Sequence, residues 1–203
     1  MELGKEVYFD NVIPHDVSLM IEKEVEKLVS SYRDEDPWTA ELDAVMESQY
    51  KKEQYLLLNW LNQIYTPDRV LYAGSGSDIL PKFVFGEEKV VHVSIENYLG
   101  WTIKYFPELG SDMMVVADNN NLPFPNQYFD LVVFFGLSTD STKQQIIEAT
   151  KVLKENGLLV MDNIVADGLD FKEVLQHFQR VFPSYQSVDR SFEELEFFTF
   201  LKC

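Results

Sequence analysis

The chain has one cysteine in 203 residues, Cys203. Neither an internal disulfide framework nor a thiolate metal cage can be built from it, which fits a reducing compartment. Positive charge is scarce as well. Seventeen Lys and Arg stand against 34 Asp and Glu, for a formal charge of −17, and no Lys/Arg cluster interrupts that field. Such a field repels polyanions, so nucleic acid and anionic membranes are not expected partners, whereas a small molecule or a protein side chain meets no such barrier. Long apolar runs are missing too: no stretch approaches 18 uncharged apolar residues, and MELGKEVYFDNVIPHD lacks a basic start followed by an apolar core. The expectation is a cytoplasmic protein. No repeat or low-complexity tract is present. The three histidines form no pair at zinc-ligand spacing, and no metal is assigned.

What is present is an ordinary globular composition, 46 % hydrophobic and 25 % charged, in a length suited to one structural domain with appendages. From about Asp16 to Tyr65, apolar residues recur at helical spacing, as in Leu19, Ile21, Val25 and Leu28, then Leu56, Leu57, Trp60, Leu61 and Ile64. Residues 1–65 therefore read as a helical cap of two or three helices, broken at SSYRDEDPW. The character changes at Thr66-Pro67-Asp68. From there to residue 203, short apolar runs alternate with amphipathic segments in the rhythm of an α/β core. Strands are expected at Arg69 to Ala73, Lys89 to Ile95, Met113 to Ala117, Asp130 to Phe135 and Gly157 to Asp162, with a final pair near Tyr185 to Asp189 and Phe197 to Lys202. Runs such as VLYA, LVVFF and LLVM are apolar at consecutive positions, as in strands covered on both faces, so the sheet should be largely parallel. Helices are expected at Tyr98 to Tyr105, Ser141 to Glu155 and Asp170 to Val181, the second stopped by Gly157 in a left-handed conformation.

The first strand runs into Gly74-Ser75-Gly76, a turn at which a ligand and the backbone can approach closely. About 20 residues on, VVHVSIEN carries Glu96 near where such folds hold a ribose diol. The third strand ends in ADNNNLPFPNQYFDLVVFFG, followed by IIEATKVLKENGLLVMDN. Over roughly residues 66 to 166, this order of motifs resembles the class I, Rossmann-like S-adenosylmethionine-dependent methyltransferases. The resemblance implies a three-layer sandwich with a mostly parallel seven-stranded sheet and an antiparallel last strand. It also implies S-adenosyl-L-methionine as cofactor, with Asp118 as the carboxylate that reads the adenine amino group and Asn119 beside it. Leu122, Pro123 and Phe124 then form the adenine loop, and Phe129 and Asp130 open strand four.

The first motif of the family usually reads Asp-x-Gly-x-Gly-x-Gly, but here Tyr72 stands at the first acid and Asp78 at the third glycine. That acid helps hold the methionine ammonium group, and Asp78 is the residue available to replace it. On the second strand Ser94 aligns with the ribose-binding acid, and Glu96 follows two residues later. The expected cofactor-binding set is thus Tyr72, Gly74, Ser75, Gly76, Asp78, Ser94, Glu96, Asp118 and Asn119. No catalytic base is assigned, because displacement at a sulfonium releases a neutral thioether and asks mainly for alignment and exclusion of water. The leading expectation is methyl transfer to a small molecule or protein side chain. A methyltransferase fold that only binds or regulates is the alternative, and a nicotinamide-dependent dehydrogenase leaves the Leu-Pro-Phe segment without a role.

Overall fold

The computed structural model describes residues 13–30, 37–75, 78–95, 113–135, 142–162, 185–191 and 196–202. The chain divides into two compact units, Met1–Tyr65 and Thr66–Cys203. The first contains α1 (His15–Ser30) and α2 (Pro37–Tyr65). Val17, Ile21, Glu24 and Val25 are the buried positions among the described side chains of α1, the spacing of one helical face. In α2, Lys51, Glu53, Gln54, Tyr55, Leu57, Leu58, Trp60 and Leu61 are all buried, so burial extends well beyond a single stripe. Two buried charges meet between the helices: Lys51 Nζ lies 3.1 Å from Glu24 Oε1.

The second unit is a seven-stranded sheet with order β3-β2-β1-β4-β5-β7-β6. Its strands are β1 (Val70–Ala73), β2 (Val90–Ser94), β3 (Met114–Val116), β4 (Phe129–Phe134), β5 (Leu153–Asp162), β6 (Tyr185–Ser191) and β7 (Glu196–Lys202). β1 pairs in parallel with β2 on one side and β4 on the other, whereas β7 is antiparallel to both β5 and β6. The chain moves outward from β1 through β2 to β3, then returns to the other side of β1 with β4. That reversal puts a switch point beside β1, where open α/β sheets leave a crevice at the strands' carboxyl ends.

Two helices of this unit are described, α3 (Leu80–Phe85) and α4 (Thr142–Val152). The short α3, set by Pro81 in its first turn, is a helix that apolar periodicity does not single out. Ile146, Ala149 and Val152 of α4 join Leu71, Ala73, Val93, Val132 and Phe134 in one core cluster. The alternation of strand side chains turns Tyr72 of β1 to the opposite face from Leu71 and Ala73. There it is the register partner of His92.

The joint between α4 and β5 departs from expectation. The helix ends at Val152, strand β5 starts at Leu153, and the left-handed residue is Asn156, with φ 62°, rather than Gly157. Gly157 is needed for another reason: a Cβ there would come within 2.7 Å of Leu153 Cδ1 and 2.8 Å of the Lys154 carbonyl oxygen. The chain folds tightly on itself here, and the β4–β5 register shifts between Phe129 and Leu131. The expected helices at Tyr98 to Tyr105 and Asp170 to Val181, and the break at 31–36, lie outside the described residues.

Candidate functional site

A cleft of about 190 Å³ lies at the carboxyl ends of β1, β2 and β3, lined by Gly74, Ser94, Ile95, Ala117, Asp118, Asn119 and Gln145. Each strand delivers its last residues there. Gly74 leaves β1 with φ 71°, and a Cβ at this position would sit 2.9 Å from Asn119 Nδ2. The backbone turn and the Asn119 amide are therefore in close approach, which a side chain at position 74 would prevent. Ser94 ends β2, and its carbonyl accepts the Ala117 N–H at 3.2 Å, joining the second and third walls.

Asp118 begins a tight turn. Its Oδ1 accepts the Asn120 backbone N–H at 2.8 Å and the Asn120 side-chain amide at 2.9 Å, while its carbonyl accepts the Asn121 N–H at 2.9 Å. A short polar side chain bonding two residues ahead is how Asp fixes such a turn, and one carboxylate oxygen is spent on it. Below the turn, Leu122 is buried, and Phe124 packs against the core and edge-on to Phe129 at 5.0 Å. Asp130 is structural: Oδ2 accepts the Arg69 N–H at 2.9 Å and Oδ1 pairs with Lys154 Nζ at 2.6 Å, which ties β4 to the chain entering β1 and to β5.

Four of the nine expected residues, Gly74, Ser94, Asp118 and Asn119, line the cleft together. Three others shape the turn behind it. Ser75 is buried and its N–H donates to the Val93 carbonyl at 3.0 Å, clasping the turn to β2. The Tyr72 hydroxyl donates to Asp78 Oδ2 at 2.6 Å, and Asp78 Oδ1 accepts the Leu80 N–H at 2.9 Å. Tyr72 thus bonds to the side chain six residues on, tying β1 to the start of α3. Gly76 and Glu96 lie outside the described residues.

Around Tyr72 the environment is buried and aromatic, with His92 edge-on at 5.5 Å and Phe135 at 5.8 Å. Burial pushes the His92 imidazole down to about 3; the charge of Lys82 adds to this and that of Asp78 opposes it. His92 Nε2 has no hydrogen-bond partner among the described residues, so the ring is held neutral in the protein interior.

Sequence reasoning missed Gln145, which α4 carries into the cleft beside the β3 turn. It also missed Ile95, an aliphatic side chain left 55 % exposed and suited to lie against the face of a heteroaromatic ring. No local signal marks Gln145, since its role comes from how α4 docks on the sheet.

The cleft fits an adenosine-containing ligand. It offers an apolar wall, a glycine whose missing Cβ keeps the approach open, a carboxylate, and an Asn119 Oδ1 that is buried with no hydrogen-bond partner among the described residues. Residues 71–161 match a family model described as a methyltransferase domain. Among solved structures, the fold is similar to the YcgJ protein of Bacillus subtilis, with TM-score 0.57 and 12 % identity over 74 % of this chain and 98 % of that one. It is also similar to a TehB-like S-adenosylmethionine-dependent methyltransferase of Corynebacterium glutamicum, with TM-score 0.56 and 18 % identity over 72 % of this chain and 87 % of that one. A third similar structure is an S-adenosylmethionine-dependent methyltransferase of Aquifex aeolicus, with TM-score 0.54 and 15 % identity over 89 % and 97 % of the two chains. None of the curated proteins matches the sequence. At these identities the structural likeness establishes a Rossmann-like fold. The match to the methyltransferase-domain model lies within the α/β unit and covers less than half of the chain, and S-adenosylmethionine is the cofactor that it indicates.

Proposed function

We propose that the α/β unit transfers a methyl group from S-adenosylmethionine to a small molecule or a protein side chain. The observation that carries this reading is the convergence of Gly74, Ser94, Asp118 and Asn119 on one cleft at the switch point of the sheet. In it, Asp118 would accept a hydrogen bond from the adenine amino group, Asn119 would supply its unpartnered oxygen, and Ser94 would reach the ribose. Gly74 would let the backbone approach. The cofactor supplies an electrophilic methyl on a sulfonium. The chain's own share is to hold the donor in line with the acceptor and to keep water out. The net charge of −17 argues against a nucleic-acid acceptor and leaves a neutral or cationic one.

A second reading, a fold that binds without methylating, draws support from Tyr72 and Asp78, which are bonded to each other where the family carries an acid. Thermal unfolding of ligand-free protein with S-adenosylhomocysteine tests the cofactor site. At about 100 times its dissociation constant the ligand should stabilise the fold by roughly 2.7 kcal/mol, and an unmoved midpoint would sink the assignment. Transfer of labelled methyl to small-molecule fractions or to protein then separates turnover from binding alone. Binding without any transfer favours the second reading.

A further inference from the structure

We propose that this cleft recognises 5′-thioadenosines as a class, with affinity set by the nucleoside and little affected by the amino-acid arm. The inference rests on the cofactor reading above and specifies which end of the ligand the protein grips. Its first support is the commitment of Asp78. Both carboxylate oxygens are engaged, Oδ2 by the Tyr72 hydroxyl at 2.6 Å and Oδ1 by the Leu80 N–H at 2.9 Å. Tyr72 is itself only 2 % exposed and boxed by the His92 and Phe135 rings. Turning it toward a ligand's ammonium group would break two hydrogen bonds, one of them to a buried hydroxyl, and charge-assisted bonds of this kind are the strong ones.

The second support is the make-up of the cleft. Of the described residues that line it, Asp118 alone is ionisable; the rest are Gly74, Ser94, Ile95, Ala117, Asn119 and Gln145. That set suits a purine and a ribose, with an aliphatic wall for the ring and amides, a hydroxyl and a carboxylate for polar edges. A zwitterionic amino-acid arm asks for charged partners.

Isothermal titration of the full chain, freed of copurified ligand, with S-adenosylhomocysteine and with 5′-methylthioadenosine tests this directly. The two dissociation constants should agree within about tenfold, which corresponds to 1.4 kcal/mol, and a 5′-methylthioadenosine affinity weaker than that overturns the proposal. The Asp78→Asn variant gives an independent reading. It should change both affinities by the same factor, and a selective loss for S-adenosylhomocysteine would mean that Asp78 does meet the amino-acid arm. If that variant does not fold, the wild-type ratio decides. Failure of both ligands to bind wild-type protein overturns the cofactor reading itself, an outcome distinct from unequal affinities.

Discussion

The helical unit and the α/β unit bury polar groups in different ways. In the helical unit, Lys51 and Glu24 face each other across α1 and α2, each side chain almost fully buried, and the two charges answer one another. In the α/β unit the polar groups gather at one end of the sheet. Some lock the turn after β1, as Tyr72 and Asp78 do, and others, such as Asn119 and Asp118, are left facing a cleft. The pair between α1 and α2 joins two elements of the fold, whereas Asn119 Oδ1 is a buried acceptor on a residue that lines a cleft. Burial by itself therefore does not mark function; what the group faces does.

The largest effect should come from breaking the pair in the helical unit. Lys51→Met leaves the Glu24 carboxylate buried beside an apolar chain and should cost about 3–5 kcal/mol in urea unfolding, much of it restored by adding Glu24→Leu. If the single variant is as stable as wild type, the pair is not the structural device described here. Next comes Tyr72→Phe. It removes a hydrogen bond to a carboxylate in a buried setting, and denaturation should show a loss of about 1.5–3 kcal/mol.

His92 then makes the interior of the α/β unit sensitive to acid. Its pKa falls from about 6.5 in the unfolded chain to about 3 in the fold, so the unfolded state binds the extra proton throughout that interval. Its contribution is complete above about pH 6.5 and is lost as pH drops toward 3, at no more than about 1.4 kcal/mol per pH unit. Stability measured from pH 7 to 4 should fall less steeply in His92→Phe than in wild type; parallel curves would contradict a buried neutral imidazole. The smallest effect on stability is expected from Asp118→Ala, at an exposed turn. The same change should weaken S-adenosylhomocysteine binding about tenfold in titration, and an unchanged affinity would displace adenine from the β3 turn.

Much of the fold was legible because both-face burial writes itself into consecutive apolar residues. The runs Val70 to Ala73, Leu131 to Phe134 and Leu158 to Met161 needed no knowledge of their neighbours to be read as strands. The helical pattern of α1 and α2 was legible for the same reason, since it is a property of local spacing. Less legible was the joint at Leu153 to Gly157, where Asn156 takes the left-handed role and Gly157 is required by contact with Leu153. Side-chain packing decided that, and packing partners are not written in spacing.

The candidate site divides in the same way. The glycine turn and the segment from Ala117 to Asp130 were recognisable from residue type and order. Their physical demands are local: a backbone at positive φ at Gly74, and an aspartate bonding two residues ahead at Asp118. Gln145 and Ile95 were not recognisable, because an amide on a helix or an aliphatic residue past a strand means nothing until the sheet brings it beside the cleft. The same holds for the meaning of Tyr72 and Asp78. The sequence by itself determined that a tyrosine stands at position 72, where the family it resembles carries an acid, and an aspartate at position 78, where that family carries a glycine. Only the tertiary structure decided that the two side chains bond to each other, since the direction of a hydrogen bond depends on where β1 and α3 place their side chains in space.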